Sequence, residues 1–185
     1  MDPALVEALD ALLPQTQCTR CSYAGCRPYA EALAAGSARP NQCPPGGEAT
    51  AKALAAALGL PALPLDPTHG LESAPRVAVI DETVCIGCAK CLPACPVDAI
   101  VGARRQLHTV IAAECSGCDL CLPACPVDCI TMVEAADAPL APTVVRVRAD
   151  LYRRRFEAHQ ERIARLAARR AARLAGHAPD RGPTP

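Results

Sequence analysis

The sequence has no tryptophan and very few other aromatic residues, although 51% of its 185 residues are hydrophobic. Three tyrosines and one phenylalanine account for the aromatic share of 2%. Much of the remaining apolar content is alanine, which buries little surface per residue. A chain of this length supports one domain or two small ones. With so thin a core, small domains are expected to depend on covalent or metal cross-links.

Long hydrophobic runs are also missing. No stretch of eighteen or more apolar residues occurs, so the sequence predicts no membrane-spanning helix. The opening residues MDPALVEALDALLPQ contain acids and lack the basic region of a secretory leader, so we expect no signal peptide. We therefore expect a cytoplasmic protein, in a compartment that keeps thiols reduced.

Motifs for nucleotide cofactors and for nucleophilic catalysis are absent too. No G-x-G-x-x-G lies between a strand and a helix, and no Walker sequence occurs. No Ser/His/Asp set is suggested either. The sequence therefore predicts neither NAD nor flavin, and no substrate site of its own, so the protein is not expected to be an enzyme by itself.

Charge is unevenly distributed, although the formal net charge is zero. Residues 1–145 carry 8 basic and 15 acidic side chains, which gives a net charge of −7. Residues 146–185 carry 11 basic and 4 acidic side chains, which gives +7. An acidic body with a basic C-terminal segment bears directly on which partners the protein can attract.

Cysteine, by contrast, is abundant, with thirteen residues. Eight of them form two quartets that repeat the spacing C-x-x-C-x-x-C-x-x-x-C-P at an offset of 30 residues. The quartets are Cys85, Cys88, Cys91 and Cys95, and then Cys115, Cys118, Cys121 and Cys125. Residues 91–98 and 121–128 share the eight letters CLPACPVD, so this segment is an internal duplication.

The quartets have the spacing of bacterial ferredoxins that bind [4Fe–4S] clusters, for which thiolates are suitable soft ligands. Three cysteines at i, i+3 and i+6 wrap one cluster, and in two-cluster ferredoxins the fourth ligates the other cluster. The predicted sets are Cys85, Cys88, Cys91 and Cys125 for one cluster, and Cys115, Cys118, Cys121 and Cys95 for the other. Zinc usually takes separated pairs and disulfides suit secreted chains, so both alternatives are disfavoured.

Another cysteine group lies nearer the N-terminus. Cys18, Cys21, Cys26 and Cys43 again offer four thiolates for a [4Fe–4S] cluster, which makes three clusters in all. Their spacing is less regular than that of the quartets, so a zinc site stays an alternative here. Cys129 is left over. It occupies the position of Ala99 in the other repeat, and we interpret it as a small buried hydrophobe, not a ligand.

Four segments follow from these motifs, and together they predict an α+β fold. Residues 1–59 form a small helical [4Fe–4S] module, and residues 60–75 a proline-rich linker. Residues 76–135 form a two-cluster ferredoxin-type domain with two short hairpins and two helical turns. Residues 136–185 form an arginine-rich helical extension with a disordered tail.

Local signals place the elements within these segments. Helices are expected near residues 3–13, 28–35 and 48–58, and strands at 77–80, 99–101, 108–111 and 130–133. His69, in the linker, is interpreted as a solvated residue. Asp98 and Asp128 follow the Cys-Pro pairs at equivalent positions, and we expect each to cap a turn.

Residues 149–175 have the composition of a long helix, which would reach about 40 Å and end at Gly176. Three interpretations stay open for it. The helix packs partly on the acidic body, or it docks on a partner or on an anionic membrane surface. Nucleic-acid binding is disfavoured, because no stacking aromatics or recognised binding motif accompany the arginines.

From about residue 8 to residue 134 the sequence resembles the B subunits of Rnf (Rsx) ion-translocating electron transport complexes. The similar stretches are ALLPQTQCTRCSYAGCRPYAEALA, NQCPPGGEA, VAVIDETVCIGCAKCLPACPVDAIVGARRQLHTVI and CSGCDLCLPACPVDCI. An N-terminal cysteine module followed by duplicated quartets makes this resemblance specific, because either module alone would be much less so.

The resemblance implies a relay of electrons between a soluble ferredoxin or an NADH-oxidising subunit and membrane subunits, coupled to ion movement. The expected partners are redox proteins, among them other Rnf-type subunits. Family members usually begin with a hydrophobic anchor, which is not found here, and the arginine-rich helix is an addition to their pattern. We expect that helix to dock on the cytoplasmic face of the inner membrane or on an acidic partner. A free-standing ferredoxin-like carrier and a nucleic-acid-associated iron–sulfur protein stay as alternatives.

Overall fold

A computed structural model of the protein describes residues 2–136 and 142–175. Its helices are α1 (Pro3–Leu12), α2 (Cys26–Ala34), α3 (Gly47–Ala57), α4 (Cys91–Ala94) and α5 (Pro142–Ala175). Its strands are β1 (Arg76–Ile80), β2 (Ile100–Val101), β3 (Thr109–Val110) and β4 (Ile130–Glu134). Short 3-10 helices lie at Pro44–Gly46, Pro67–His69 and Ala112–Glu114. This mixture of helices and small sheets, with a long C-terminal helix, agrees with the predicted α+β class.

Helices α1, α2 and α3 enclose the first core. Asp2 caps α1 by accepting a hydrogen bond from the Ala4 amide at 2.9 Å, with Pro3 in the first helical position. Leu9 of α1, Leu33 of α2 and Leu54 of α3 are each at most 2% exposed. Burying one such side chain contributes roughly 1.5–3 kcal/mol. These three leucines therefore hold the module together despite its lack of aromatic residues.

Residues 60–75 lie against this module instead of extending away from it. The Asn41 side-chain amide donates to the Pro64 carbonyl at 2.7 Å. The two ring nitrogens of His69 lie 3.0 Å from the Arg20 carbonyl and 2.9 Å from the Gln42 side-chain amide. The interpretation of His69 as a solvated residue is therefore wrong, because its ring joins the linker to the cysteine loop.

Two antiparallel strand pairs frame the duplicated segment. Strand β1 pairs with β4, with Ile80 opposite Ile130, and β2 pairs with β3, with Ile100 opposite Val110. The predicted strands are thus present, with ends that shift by at most one residue. Helix α4 provides one of the two expected helical turns, whereas the equivalent residues 121–124 form a non-helical turn. Side chains from both strand pairs meet the cysteines in the second core.

Helix α5 begins at Pro142, earlier than the predicted Ala149, and its 34 residues span about 50 Å. Its inner half, residues 146–162, packs on the body. The Tyr152 hydroxyl donates to the Cys115 carbonyl at 3.1 Å, and Tyr152 is buried in the second core. Arg155 donates to the carbonyls of residues 97 and 98 at 2.6 and 2.9 Å. One of the three interpretations, partial packing on the acidic body, therefore describes this half.

Asp98 anchors the middle of α5. Its carboxylate lies 2.8 Å from His159 Nδ1 and accepts hydrogen bonds from the Arg162 guanidinium. Burial alone would raise the pKa of Asp98, but the hydrogen bonds from Arg162 and His159 hold it below its ordinary value. Asp128, at the same position of the second repeat, is exposed. Asp98 thus anchors a neighbouring helix, where the sequence predicted that it caps its own turn.

The outer half of α5, residues 163–175, is exposed along its whole length. It carries four arginines and no acidic residue. Ile163, Leu166 and Leu174 are the large apolar side chains exposed here. None of the helices in residues 2–136 and 142–175 is long and apolar enough to cross a membrane. The predicted helix end at Gly176 and the predicted disordered tail lie outside the described residues.

The anchoring of α5 can be tested with one pair of matched variants. Asp98→Asn removes the charge that holds His159 and Arg162, and we expect a loss of roughly 1–2 kcal/mol, since the carboxylate is partly exposed. Hydrogen exchange of the amides in residues 155–162 should accelerate. Asp128→Asn changes the equivalent residue and should leave this exchange unaltered. Equal exchange in the two variants would contradict the anchoring role.

Candidate metal centres

The eight cysteines of the duplication surround two separate cavities. The first is lined by Cys85, Cys88, Cys91 and Cys125, together with Cys129, and is called the Cys85 site. The second is lined by Cys95, Cys115, Cys118 and Cys121 and is called the Cys115 site. Apart from Cys129, each cavity takes three cysteines from one repeat and one from the other, and these are the two groups that the spacing predicts.

The same backbone conformation recurs in the two cysteine loops. Gly87 and Ala89 have φ values of +65° and +61°, and Gly117 and Asp119, 30 residues later, have +69° and +64°. Positive φ reverses the local chain direction and favours glycine. A Cβ on Gly87 would lie 2.8 Å from the carbonyl oxygen of Gln106, so glycine is required at that position. Equivalent backbone turns thus direct both loops around their cavities.

Electrostatic repulsion among the cysteines follows the same grouping. Burial, together with the negative charges of Cys118, Cys115 and Cys95 in the same site, raises the pKa of Cys121 to about 12. Burial likewise raises the pKa of Cys91, with added repulsion from Cys88, Cys85 and Cys125. Four buried thiolates are unfavourable together unless a cationic centre binds them, so the donor sets fit a group that supplies positive charge.

Backbone amides donate hydrogen bonds to two thiols of the Cys115 site. The Ala78 amide lies 3.4 Å from Cys115 Sγ, and the Ala99 amide lies 3.2 Å from Cys95 Sγ. Amide donors stabilise negative charge on sulfur. These amides are therefore suited to thiolates that act as metal ligands.

Side chains provide the corresponding contacts in the Cys85 site. His108 is 2% exposed, lines this cavity and places Nδ1 3.5 Å from Cys85 Sγ. Cys129 Sγ lies 3.4 Å from Cys125 Sγ, and burial raises the pKa of Cys129 to about 12. Cys129 is only 7% exposed, which confirms that it is a small buried residue. The importance of His108 was missed from the sequence, although comparing the two repeats would have shown it.

The N-terminal cysteines form a third group. Cys21, Cys26 and Cys43 are buried and Cys18 is partly buried. Burial raises the pKa of Cys43 above its ordinary value, and the charges of the other three cysteines raise it further. All four thiols are thus close enough to repel one another, and they are called the N-terminal site. In the part of the chain that the structure describes, no three or more His, Cys, Asp or Glu side chains have the arrangement of a site for a single metal ion.

A buried chain of hydrogen bonds ties the N-terminal site to helix α5. The Cys26 amide donates to Gln17 Oε1 at 2.9 Å, and Gln17 donates to Gln15 Oε1 at 2.8 Å. Gln15 donates to Asp10, whose carboxylate also accepts from Arg153 Nε at 2.9 Å. This network could not be predicted, because glutamine at positive φ (+59° and +56°) has no recognisable sequence pattern.

The N-terminal site adjoins the Cys115 site. Ser116 Oγ donates to the Thr16 carbonyl at 3.0 Å. The Asp119 carboxylate accepts hydrogen bonds from both Arg20 and Arg76. The Ser116–Thr16 hydrogen bond and the Arg20–Asp119 contact thus join the loop that contains Cys18 to the loop that follows Cys115. The N-terminal module thus meets the duplicated segment on the side of the Cys115 site.

Comparison with known proteins agrees with this geometry. Residues 78–132 match the family described as 4Fe-4S dicluster domain, and residues 13–45 match the family described as putative Fe-S cluster. The chain is related to the B subunits of ion-translocating oxidoreductase complexes. The B subunit from Thiobacillus denitrificans is 60% identical over 110 residues, which are 60% of this chain and 58% of the relative.

Other relatives carry the same name. The protein from Alkalilimnicola ehrlichii is 58% identical over 111 residues, which are 60% of each chain. The protein from Pseudomonas paraeruginosa is 64% identical over 111 residues, which are 60% of this chain and 57% of the relative. The chain thus spans somewhat less than two thirds of the relatives it matches. No solved structure matches it.

These matches confirm the resemblance inferred from the sequence and support an iron–sulfur electron-transfer role. Both cysteine regions fall within them, since one match covers the quartets and the other covers the N-terminal site. The number of clusters, the ligand assigned to each and the limits of the four segments stay predictions.

Gly102 provides a test of how the Cys85 site is built. A Cβ at this position would lie 2.2 Å from His108 Cδ2 and 2.8 Å from the Leu107 carbonyl oxygen, at a φ of +146°. Gly102→Ala should therefore displace His108 and cost about 1–3 kcal/mol through overpacking. We expect a lower unfolding temperature and loss of iron from one site.

The matched control is Gly36→Ala. Gly36 has a φ of +71° but nothing within 4 Å of the added Cβ, so only the left-handed strain of roughly 1–2 kcal/mol applies. Its iron content should be unchanged. The structure of the Cys85 site would be contradicted if the two alanine variants lost equal amounts of stability and iron.

Proposed function

We propose that the protein relays single electrons through three [4Fe–4S] clusters as the B subunit of an Rnf-type ion-translocating oxidoreductase complex. The ligand sets are Cys18, Cys21, Cys26 and Cys43; Cys85, Cys88, Cys91 and Cys125; and Cys115, Cys118, Cys121 and Cys95. When bound, such a cluster accepts and releases one electron. The observation that supports the proposal is that each of two cavities is lined by three cysteines of one quartet and the fourth cysteine of the other, with Cys129 as a further cysteine in the Cys85 site.

The chain's own residues hold the sulfurs and control their surroundings. Buried amides donate to Cys95 and Cys115, and His108 contacts Cys85. Helix α5 covers the backbone of residues 97 and 98 through Arg155 and thereby shields the Cys115 site from water. Because electron transfer slows steeply with distance, close and rigid placement of the three sites is what the fold contributes.

Contacts between the modules support a linear order for the relay. The N-terminal site is joined to the Cys115 site through the Ser116 hydrogen bond to the Thr16 carbonyl and through the Arg20–Asp119 ion pair. The Cys115 site shares crossed cysteines with the Cys85 site. The order is therefore N-terminal site, Cys115 site, Cys85 site, and electrons enter or leave the ferredoxin-type domain at the Cys85 site.

Exposure near the Cys85 site supports this terminal position. Ile86 lines the cavity and is nevertheless 61% exposed, so only a thin layer separates the cavity from the surface. Val84 and Leu107 are also exposed large apolar residues. An apolar surface beside a redox centre suits transient docking of a redox protein, such as a ferredoxin or an NADH-oxidising subunit. The protein itself binds neither NAD nor flavin in this scheme and has no substrate site.

The outer half of α5 is the second functional element of the proposal. With four arginines and no acidic residue, it presents positive charge and exposed leucines together. A helix of this kind binds at the surface of anionic membranes. We therefore assign the protein to the cytoplasmic face of the inner membrane, with the outer half of α5 in contact with lipid headgroups.

Metal analysis tests the number and identity of the centres. Anaerobically purified protein should contain about twelve irons and as many acid-labile sulfides per chain, as three cubane clusters require. About eight irons with one zinc would reassign the N-terminal site to a structural role. A colourless, folded protein with free thiols would overturn the proposal altogether.

Two cysteines of one cavity provide a matched pair for the same measurement. Cys125→Ala should lose iron from the Cys85 site, because it removes an assigned ligand. Cys129→Ala, four residues away with its sulfur 3.4 Å from Cys125 Sγ, should retain all of its iron. If both variants kept the same iron content, the crossed ligand assignment would fail.

Flotation with lipid vesicles tests the role of α5. Replacing both Arg165 and Arg169 by Gln should weaken binding to anionic vesicles by about 2 kcal/mol, or roughly thirtyfold, since each surface arginine contributes about 1 kcal/mol. Replacing Arg104 and Arg105, which are exposed on the β2–β3 loop, removes the same charge and should have little effect. Equal losses from the two double variants would show that net charge alone is responsible.

A further inference from the structure

The two halves of the duplication differ at two positions that contact the cysteine sulfurs. With the 30-residue offset, His108 corresponds to Ala78, and Cys129 corresponds to Ala99. Ala78 and Ala99 offer only backbone amides to the Cys115 site. At the equivalent places the Cys85 site has an imidazole and a thiol. The two repeats therefore differ at positions that contact the candidate ligands.

The imidazole of His108 is held in one place. It is 2% exposed, and Gly102 leaves space for the ring, since any Cβ there would overlap it. Both residues belong to the hairpin of β2 and β3, and its loop places His108 in the wall of the Cys85 site. Nδ1 lies 3.5 Å from Cys85 Sγ. The contact is thus built into the hairpin and does not depend on a mobile surface side chain.

The position of the proton on this ring follows from its surroundings. A metal-bound thiolate has no proton, so the imidazole must provide the one that lies between Nδ1 and Cys85 Sγ. Nε2 of His108 is buried without a hydrogen-bond partner among the described residues. An unpaired acceptor is better tolerated in a buried place than an unpaired N–H group. Both considerations place the hydrogen on Nδ1, which makes His108 a donor to the sulfur.

Cys129 offers a second donor to the same site. Its sulfur lies 3.4 Å from Cys125 Sγ, and it is buried in the second core. Its thiol group can donate weakly to a ligand thiolate. In the other repeat this position is alanine, which has no side-chain donor.

We propose that His108, assisted by Cys129, is a positioning residue that raises the reduction potential of the cluster in the Cys85 site. The potential of the cluster in the Cys115 site is not affected by these two residues. This rests on the proposed function, because it requires that the clusters are present. Hydrogen bonds to cluster and ligand sulfurs stabilise the extra negative charge of the reduced state. Of the two cavities, only the Cys85 site receives such bonds from side chains at these positions.

The consequence concerns the end of the relay. Two stations of different potential hold a transferred electron unequally, whereas two identical halves would share it equally. The duplication by itself would produce similar sites. His108 and Cys129 therefore allow the station nearest the exposed Ile86 to be adjusted separately from the one behind it.

Redox titration of the full chain, followed by electron paramagnetic resonance, tests the proposal. The signal of the Cys85 site is identified as the one missing from Cys125→Ala. His108→Leu fills the same space without a donor, and it should weaken electron affinity at that site alone by about tenfold, which is roughly 59 mV for a one-electron couple. His108→Asn, whose amide can donate from nearly the place of Nδ1, should recover most of the wild-type potential.

Val101→Ala is the matched control, because this side chain is 42% exposed and lies on the same hairpin. It should leave every potential unchanged. Iron content is measured on all variants. The proposal is overturned if His108→Leu shifts no signal, shifts both signals equally, or behaves like His108→Asn. Wild-type protein without iron would instead refute the proposed function.

Cys129→Ala keeps the test decisive if His108→Leu fails to hold its cluster. This variant gives the second repeat the alanine already present at residue 99 of the first, so the fold should tolerate it. The potential of the Cys85 site should fall, by less than for His108, since a thiol is a weak donor. An unchanged potential together with full iron content would then overturn the side-chain contribution.

Discussion

Repulsion among buried thiolates is the constraint on which the rest of this structure depends. Twelve of the thirteen cysteines gather in three groups, and in each group burial and neighbouring charge raise pKa values. Burial of apolar side chains offers little free energy to offset this repulsion, because alanine is frequent and aromatic residues are scarce. A cationic centre inside a group would turn this repulsion into cohesion, and folding would then be coupled to metal assembly.

Local spacing explains how much of the fold could be predicted. The repeated cysteine pattern places three sulfurs on one loop whatever surrounds it, and the flanking strands follow from short apolar runs. The role of Asp98 could not be predicted in this way. Asp98 and Asp128 end the two copies of the sequence CLPACPVD. Only the contact of Asp98 with His159 and Arg162, on a helix distant in sequence, distinguishes their roles. Contacts of this kind depend on tertiary structure and leave no local pattern.

The candidate sites likewise combine features that local sequence predicts with features that depend on tertiary contacts. Their cysteines were predicted from the sequence, whereas the polar groups that support them were not. Gln15 and Gln17 have positive φ in a buried chain between Asp10 and Cys26, a role that no propensity scale assigns to glutamine. His108 differs in that its departure from the repeat is visible in the sequence itself. What made it informative was the distance from its ring to Cys85 Sγ.

The exchange of cysteines between the two repeats has a consequence for shorter forms of this protein. A peptide that contained only one repeat would have three of the four sulfurs for one cavity and a single sulfur for the other. It could complete a tetrad only by borrowing the missing sulfur from a second molecule, so its assembly would depend on concentration. Joining the repeats in one chain makes that step intramolecular and raises the effective concentration of the fourth sulfur. The covalent connection is thus itself a device for capturing metal at low protein levels.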